Sequence, residues 1–587
     1  MKLFSTFKHF FCIFFVLILT VGLIGCKKDK PGTDTAPTDA VTAEPTQDVG
    51  STDNGSVTDS PLHGLGGSDS SYPVDASGEV LINDVDFSNY SELTSADNSR
   101  VFYHIFVGSF SDSNNDGTGD LRGIINRMDY LNDGDPKSGK SLGVEGIWLS
   151  PIFKSPSYHK YDTTDYYTVD PVFGTMDDLK ELADLCEQRG IKLILDLVIN
   201  HSGSQNQWFT DFKNAHKNGD TSSLYYDFYS WNDKGSAGGR SFQRIAGSDH
   251  FYECNFSGDM PEMNFDNEFV YSTMLDVARY YLEEIGIDGF RFDAAQYIYY
   301  GDNARSGEFW VRYMKDLRAI KPDLFTVAEV WDSDMTVMNY EPALDCFNFS
   351  MSQAEGMIAS TTKKGDVNTY TSYIEYYIDS IREKRPTASL VSFISNHDMD
   401  RAAGYLTYAS GYAKMAASLL ILNPGSSFIY YGDEIAMKGS RGSTNTDANR
   451  RLAMLWGDGD TVKDPVGSSY GKANQTESTV ANSLGDPDSL YNYYKELIMI
   501  RKANPEIVHG EYKSVSIDGK KAGGFVSTLD GKSVLVLHNP GINSCTVDLS
   551  TVAGGEFGTL VASIGLEDVT LEGTTLKMGG KTSAVLR

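Results

Sequence analysis

The sequence predicts a (β/α)8 TIM barrel carrying a small domain inserted after its third strand and followed by a C-terminal antiparallel β-sandwich. Three observations lead there. Between Val101 and about Asn504, some eight short apolar runs alternate with segments of helical periodicity. Several of the runs are apolar almost throughout, as strands covered on both faces are. Beyond Pro505 the pattern changes to short alternating strands separated by glycine turns.

Taken in order, Val101-Phe102-Tyr103-His104-Ile105-Phe106 reads as the first strand and Gly146-Ile147-Trp148-Leu149 as the second. Thr175-Met176-Asp177-Asp178 is a capped helix start, with Leu179, Leu182, Ala183 and Cys186 forming the apolar face behind it. A third strand runs from Ile191 to Val198. Residues 201–265 are too many for a βα loop and rich in Tyr, Gly, Ser and Asp, so they are read as the inserted domain. A helix over about 269–284 leads into a fourth strand at Gly289. Further strands are expected at 324–328, 344–347, 390–394 and 427–430, and a last helix at 489–504. The barrel region is thus 99–504. The sandwich is 505–587, with strands at Gly524-Phe525-Val526-Ser527 and Ser533-Val534-Leu535-Val536-Leu537.

The chain has 587 residues, more than one core accommodates, and a net charge of -30, which argues against nucleic acid as a partner. Residues 1–25 form a targeting segment: Lys2 and Lys8 precede an apolar run that ends Leu23-Ile24-Gly25-Cys26. This resembles a bacterial lipoprotein signal, which implies lipidation of Cys26 and an extracytoplasmic, membrane-anchored protein at the bacterial cell surface. Residues 26–98 are rich in Thr, Asp, Ser, Pro and Gly, with no Lys or Arg from Pro31 to Ser99, and are read as a disordered acidic tether. Cys186, Cys254, Cys346 and Cys545 remain, without metal-ligand spacing, and Cys186 is expected as a buried free thiol.

Acidic residues fall at four expected strand ends, where a barrel places its active site. The third strand ends Asp196-Leu197-Val198-Ile199-Asn200-His201, and the fourth Arg291-Phe292-Asp293. The fifth ends Ala328-Glu329, and the seventh Asn396-His397-Asp398. Arg291 and Asp293 alone would read as an ordinary buried ion pair. Glycoside hydrolysis needs two carboxylates across a sugar C1, one ionised to attack and one protonated for the leaving oxygen. Asp293 beside Arg291 fits the first role, and Glu329 after an apolar strand fits the second. Asp398 can hold ring hydroxyls, and His201 and His397 can donate to sugar hydroxyls.

These motifs, with Gly146–Pro151 and Phe428–Glu434, resemble glycoside hydrolase family 13, the α-amylase family, over Val101 to about Asn504. The resemblance implies Asp293 as nucleophile, Glu329 as acid/base and Asp398 as transition-state stabiliser, with Arg291, His201 and His397 as subsite ligands. Tyr161-Asp162-Thr163-Thr164-Asp165-Tyr166 is similar to the family segment whose Tyr stacks on the bound sugar and whose Asp binds its hydroxyls. Here Lys160 precedes it where Gly is common.

Asp112, Asn114, Asp116, Thr118 and Asp120 alternate oxygen donors as calcium loops do. The other reading of these residues is a loop rich in Asx turns. The resemblance favours calcium. Ala294 resembles members acting on α-1,4 bonds, while Gln296 and Tyr297 depart from the Lys-His pair common in α-amylases. The expected activity is retaining hydrolysis of internal α-1,4 bonds of starch or maltooligosaccharides. The alternatives are α-glucosidase or neopullulanase-like action on short or branched oligosaccharides, and a non-catalytic surface glycan-binding protein.

Overall fold

The computed structural model describes residues 73–587 apart from 410, 472, 473, 477, 518–521 and 554. The targeting segment, Cys26 and most of the expected tether lie outside the described residues. Eight parallel strands form the centre: β1 (Val101–Ile105), β2 (Gly146–Leu149), β3 (Lys192–Leu197), β4 (Gly289–Phe292), β5 (Phe325–Ala328), β6 (Asp345–Cys346), β7 (Val391–Phe393) and β8 (Ser426–Tyr430). They are hydrogen-bonded in the order β6-β5-β4-β3-β2-β1-β8-β7. A parallel bridge between Phe347 and Val391 joins β6 to β7 and closes the barrel. Every residue in these strands is buried, which is why their sequences lack an exposed polar face.

Alternation sorts the strand side chains into two cores. Phe102, Trp148, Ile194, Phe325, Val327 and Phe428 fill the barrel interior, with the Phe102 and Phe428 rings stacked 4.6 Å apart. Their neighbours Tyr103, Ile147, Leu193, Leu195 and Ile429 face outward to the helical layer. Helix Met176–Gln188 starts at the reciprocal Thr175–Asp178 capping box expected from sequence. The thiols of Cys186, Cys254 and Cys346 are buried and free.

Between β3 and β4 lies the inserted unit, with a helix at Gln207–Asn218 and a small antiparallel sheet of Trp231–Asn232, Phe251–Glu253 and Phe242–Arg244. Bridge His201–Glu262 ties the start of the insert to its end, and Tyr229–Met263 ties its middle to that same end. The C-terminal region is two antiparallel sheets, of five and three strands. Strand Lys532–Asn539 shows how it docks: Val534 and Val536 pack into the main core, while Leu535 and Leu537 face the second sheet.

One boundary moves. The segment from Pro73 was expected as tether, yet Val80 and Ile82 are each 1% exposed and cluster with Met499 of helix Leu490–Ala503. The Val80 carbonyl accepts from Lys495 Nζ at 2.6 Å, and the Ile82 N–H donates to the Gly139 carbonyl. Val80, Leu81, Ile82, Val85 and Phe87 are too few to lift the average composition of a long polar stretch, so the tether reading overran them. Among the described residues no helix is long and apolar enough to cross a membrane.

Candidate active site

Parallel register brings the strand-end acids together. Arg291 on β4 stands opposite Asp196 on β3 and Val327 on β5, so its side chain enters the barrel mouth between the two neighbouring strands. The guanidinium, 1% exposed, holds three carboxylates: Nη1 lies 2.7 Å from both Asp196 Oδ1 and Asp293 Oδ1, and Nη2 lies 2.8 Å from Glu329 Oε2. A retaining glycosidase needs its two carboxyl groups close together across the sugar, and here one guanidinium fork draws Asp293 and Glu329 onto its two terminal nitrogens. Ala294 bends sharply after Asp293, with φ 47 in the left-handed region. That bend turns its N–H onto Glu329 Oε2 at 3.2 Å.

Electrostatics separates the acids. Burial raises the Glu329 carboxyl to about 8, the neighbouring Asp293 and Asp398 charges adding to the rise while Arg291 opposes it. Asp398 goes the other way. Burial alone would raise it, but His397, Arg451 and Arg291 outweigh that and hold it well below the usual carboxylate range. Burial also raises Asp196, to about 7, against the pull of Arg291. One carboxyl is therefore kept protonated at neutral pH and another ionised within one cavity, the separation that acid/base chemistry uses.

The cavity measures about 1450 Å³ and is lined by Tyr161, His201, Asp293, Glu329 and Asp398 among others. Aromatic side chains stand at its mouth: Trp331, stacked on Phe349 at 4.9 Å, and Phe256, edge-on to Tyr297 at 5.0 Å. Trp331 and Phe256 are 44% and 46% exposed, as surfaces that stack on sugar rings must be. Gln296 lines the cavity as well.

Three expected subsite ligands stand behind the lining instead of on it. Arg291 is buried with both terminal nitrogens on the acids. His397, buried, is aligned parallel to the Tyr161 ring at 5.5 Å and has Nε2 3.1 Å from Asp398 Oδ2. Asp162 was expected to bind sugar hydroxyls, but it is buried and its Oδ1 accepts from Ser155 Oγ at 2.6 Å and from Ser157 Oγ. It shapes the loop that carries Tyr161. His201 also differs from expectation: its Nε2 is bonded to the Tyr161 carbonyl at 3.2 Å. That contact makes Nε2 the donor, so in the neutral ring the buried, unpartnered Nδ1 is an acceptor.

Arg450 and Arg451 were not found from sequence. Arg451 Nη2 lies 2.6 Å from Asp398 Oδ1, its Nε donates to the His397 carbonyl, and Arg450 Nη1 donates to the Asp398 carbonyl. They come from an irregular stretch after β8, and no local motif marks them.

The 112–120 loop is closed by its own side chains. Asp112 accepts from the N–H groups of Asn114, Asn115 and Gly117, and Asp120 caps the helix at Gly123. Among the described residues no three His, Cys, Asp or Glu converge as ligands. The donors in this loop are all oxygen, the ligand type a hard cation takes, and those of Asp112, Asn114, Asp116 and Asp120 accept from loop N–H groups here.

The family described as Alpha amylase, catalytic domain, matches residues 104–510. "Alpha-amylase 3" of Dictyoglomus thermophilum is 31% identical over 443 residues, covering 75% of this chain and 84% of that protein. "Oligo-1,6-glucosidase" of Bacillus cereus is 27% identical over 563 residues, covering 81% and 97%. Among solved structures, Eubacterium rectale Amy13B superposes with a TM-score of 0.78 at 30% identity, covering 85% of this chain and 97% of its own.

Proposed function

Because the chain belongs to the α-amylase family of glycoside hydrolases, we propose that it cuts internal α-1,4 bonds of starch or maltooligosaccharides with retention of configuration. The observation that carries this is the pairing of Asp293 and Glu329 on one guanidinium inside an open cavity of about 1450 Å³. That volume exceeds the roughly 300–1,000 Å³ of a site for one small molecule, which favours a substrate of several sugar units.

In this reading Asp293 attacks the anomeric carbon as Glu329 delivers its proton to the glycosidic oxygen. The bond from carbon to the leaving sugar breaks and a glycosyl ester on Asp293 forms. Glu329, now ionised, takes a proton from water, which attacks the same carbon and releases Asp293. Asp398, ionised and held by Arg451, accepts from ring hydroxyls as the ring flattens.

A second reading, α-glucosidase or neopullulanase-like action on short or branched oligosaccharides, draws on Gln296 and Tyr297, which line the cavity where α-amylases commonly carry a Lys-His pair. A product time course on soluble starch separates the two: mixed maltooligosaccharides early support internal cutting, and glucose alone supports exo action. Binding of starch without turnover supports a glycan-binding protein. The same assay and a thermal melt run with chelator test calcium at Asp112, Asn114, Asp116, Thr118 and Asp120. Loss of several degrees in Tm, restored by calcium, is expected, and an unchanged Tm refutes the cation. Surface anchoring through Cys26 is part of the proposal. Labelling cells with a fatty acid is expected to tag the wild type and not Cys26→Ser, and an untagged wild type would refute lipidation there.

A further inference from the structure

We propose that Lys160 is a positioning residue whose buried ion pair with Asp170 holds the Tyr161 sugar platform in place. The inference rests on the hydrolase reading above and adds to it a residue outside the catalytic set.

Lys160 occupies the turn between strands Phe153–Lys154 and Asp165–Val169. Its φ is 66, in the left-handed region that glycine adopts freely and a side chain with a Cβ does not. A surface lysine ordinarily sends its ammonium into water. This one runs beneath the turn, its side chain 8% exposed, to place Nζ 2.7 Å from Asp170 Oδ2 and 3.1 Å from the Ser155 carbonyl. Phe173 covers the ammonium at 5.4 Å.

Asp170 is a fixed anchor. Its Oδ2 accepts from the Ser155 N–H at 3.0 Å and its Oδ1 from the Val172 N–H at 3.1 Å, and its own N–H donates to the Ile152 carbonyl. The ion pair therefore runs from the apex of the loop to its base. A glycine at 160 would supply the conformation with no anchor, whereas the lysine supplies both.

What depends on this conformation is the next residue. The Tyr161 hydroxyl lies 3.0 Å from Asp196 Oδ2 and 2.5 Å from His397 Nε2, and its carbonyl meets His201 at 3.2 Å. Relaxing φ at 160 would swing the phenol away from Asp196 and His397 and draw the carbonyl from His201. Misplacement of about 1 Å near the reacting centre lowers turnover on the order of 10²-fold.

The test compares purified wild type with Lys160→Met, Lys160→Gly, Asp170→Asn and the double variant Lys160→Met/Asp170→Asn. The rate on a blocked maltooligosaccharide is divided by active sites counted with a mechanism-based inactivator, so misfolded protein does not enter. Expected are a fall in kcat of roughly 10-fold or more for Lys160→Met, a smaller fall for Lys160→Gly, which keeps the left-handed turn without strain, KM changed less than about threefold in both, and a double variant no slower than Lys160→Met alone. Unchanged kcat per active site, with only Tm lowered, overturns the proposal, as do losses that multiply in the double variant. A wild type without turnover refutes the hydrolase reading separately. Lys160 is then judged by calorimetric affinity for maltoheptaose, where roughly 10-fold weakening in Lys160→Met supports positioning and equal affinity overturns it.

Discussion

Asp293→Asn is expected to lower kcat on blocked maltooligosaccharides by about 10⁴-fold or more, with maltooligosaccharide affinity nearly unchanged. The amide keeps an oxygen for Arg291 Nη1, which now sits 2.7 Å from Asp293 Oδ1, so the variant should fold and bind. It cannot form the glycosyl ester. A neighbouring effect checks the geometry independently: Asp293 is one of the charges that raise Glu329, so removing it should let the Glu329 carboxyl titrate lower. Stopped-flow binding and steady-state turnover on the same preparation read both quantities. Turnover at the wild-type level would exclude Asp293 as the nucleophile.

Glu329→Gln should lose about 10²- to 10⁴-fold on starch and far less on a substrate whose leaving group needs no proton. The pH dependence follows from the sign of the shift. The catalytically competent form of Glu329 in the first step is the protonated one, and burial raises its carboxyl to about 8. Wild-type kcat/KM should therefore hold through neutral pH and fall as pH rises through about 8. Glu329→Gln has no proton to lose there, so its residual rate should be flat across the same range. An alkaline limb that survives in the Gln variant would assign that titration to another group.

Much of this centre was legible because its chemistry is bound to local pattern. A strand that ends Arg291-Phe292-Asp293 must send both polar side chains to one side of the pleat, and parallel register then delivers them to the barrel mouth. What remained hidden depended on distance along the chain. Arg451 is 53 residues from the Asp398 it holds, and nothing in Asn449-Arg450-Arg451 points to that partner. Lys160 stood out as a departure from glycine, but only the backbone reveals that it keeps the glycine conformation by burying its ammonium. Asp162 was assigned a sugar and found two serines, since a carboxylate in a tight loop satisfies the nearest donors first. Val80 and Ile82 were diluted by a polar neighbourhood and could be recognised only by the groove they fill.

The central claim is a double displacement through Asp293, and the anomeric configuration of the first product tests it most directly. Proton NMR during the first minutes of maltooligosaccharide hydrolysis, before mutarotation, should show the new reducing end as the α-anomer. A first product in the β configuration would require a single displacement by water and would contradict the account.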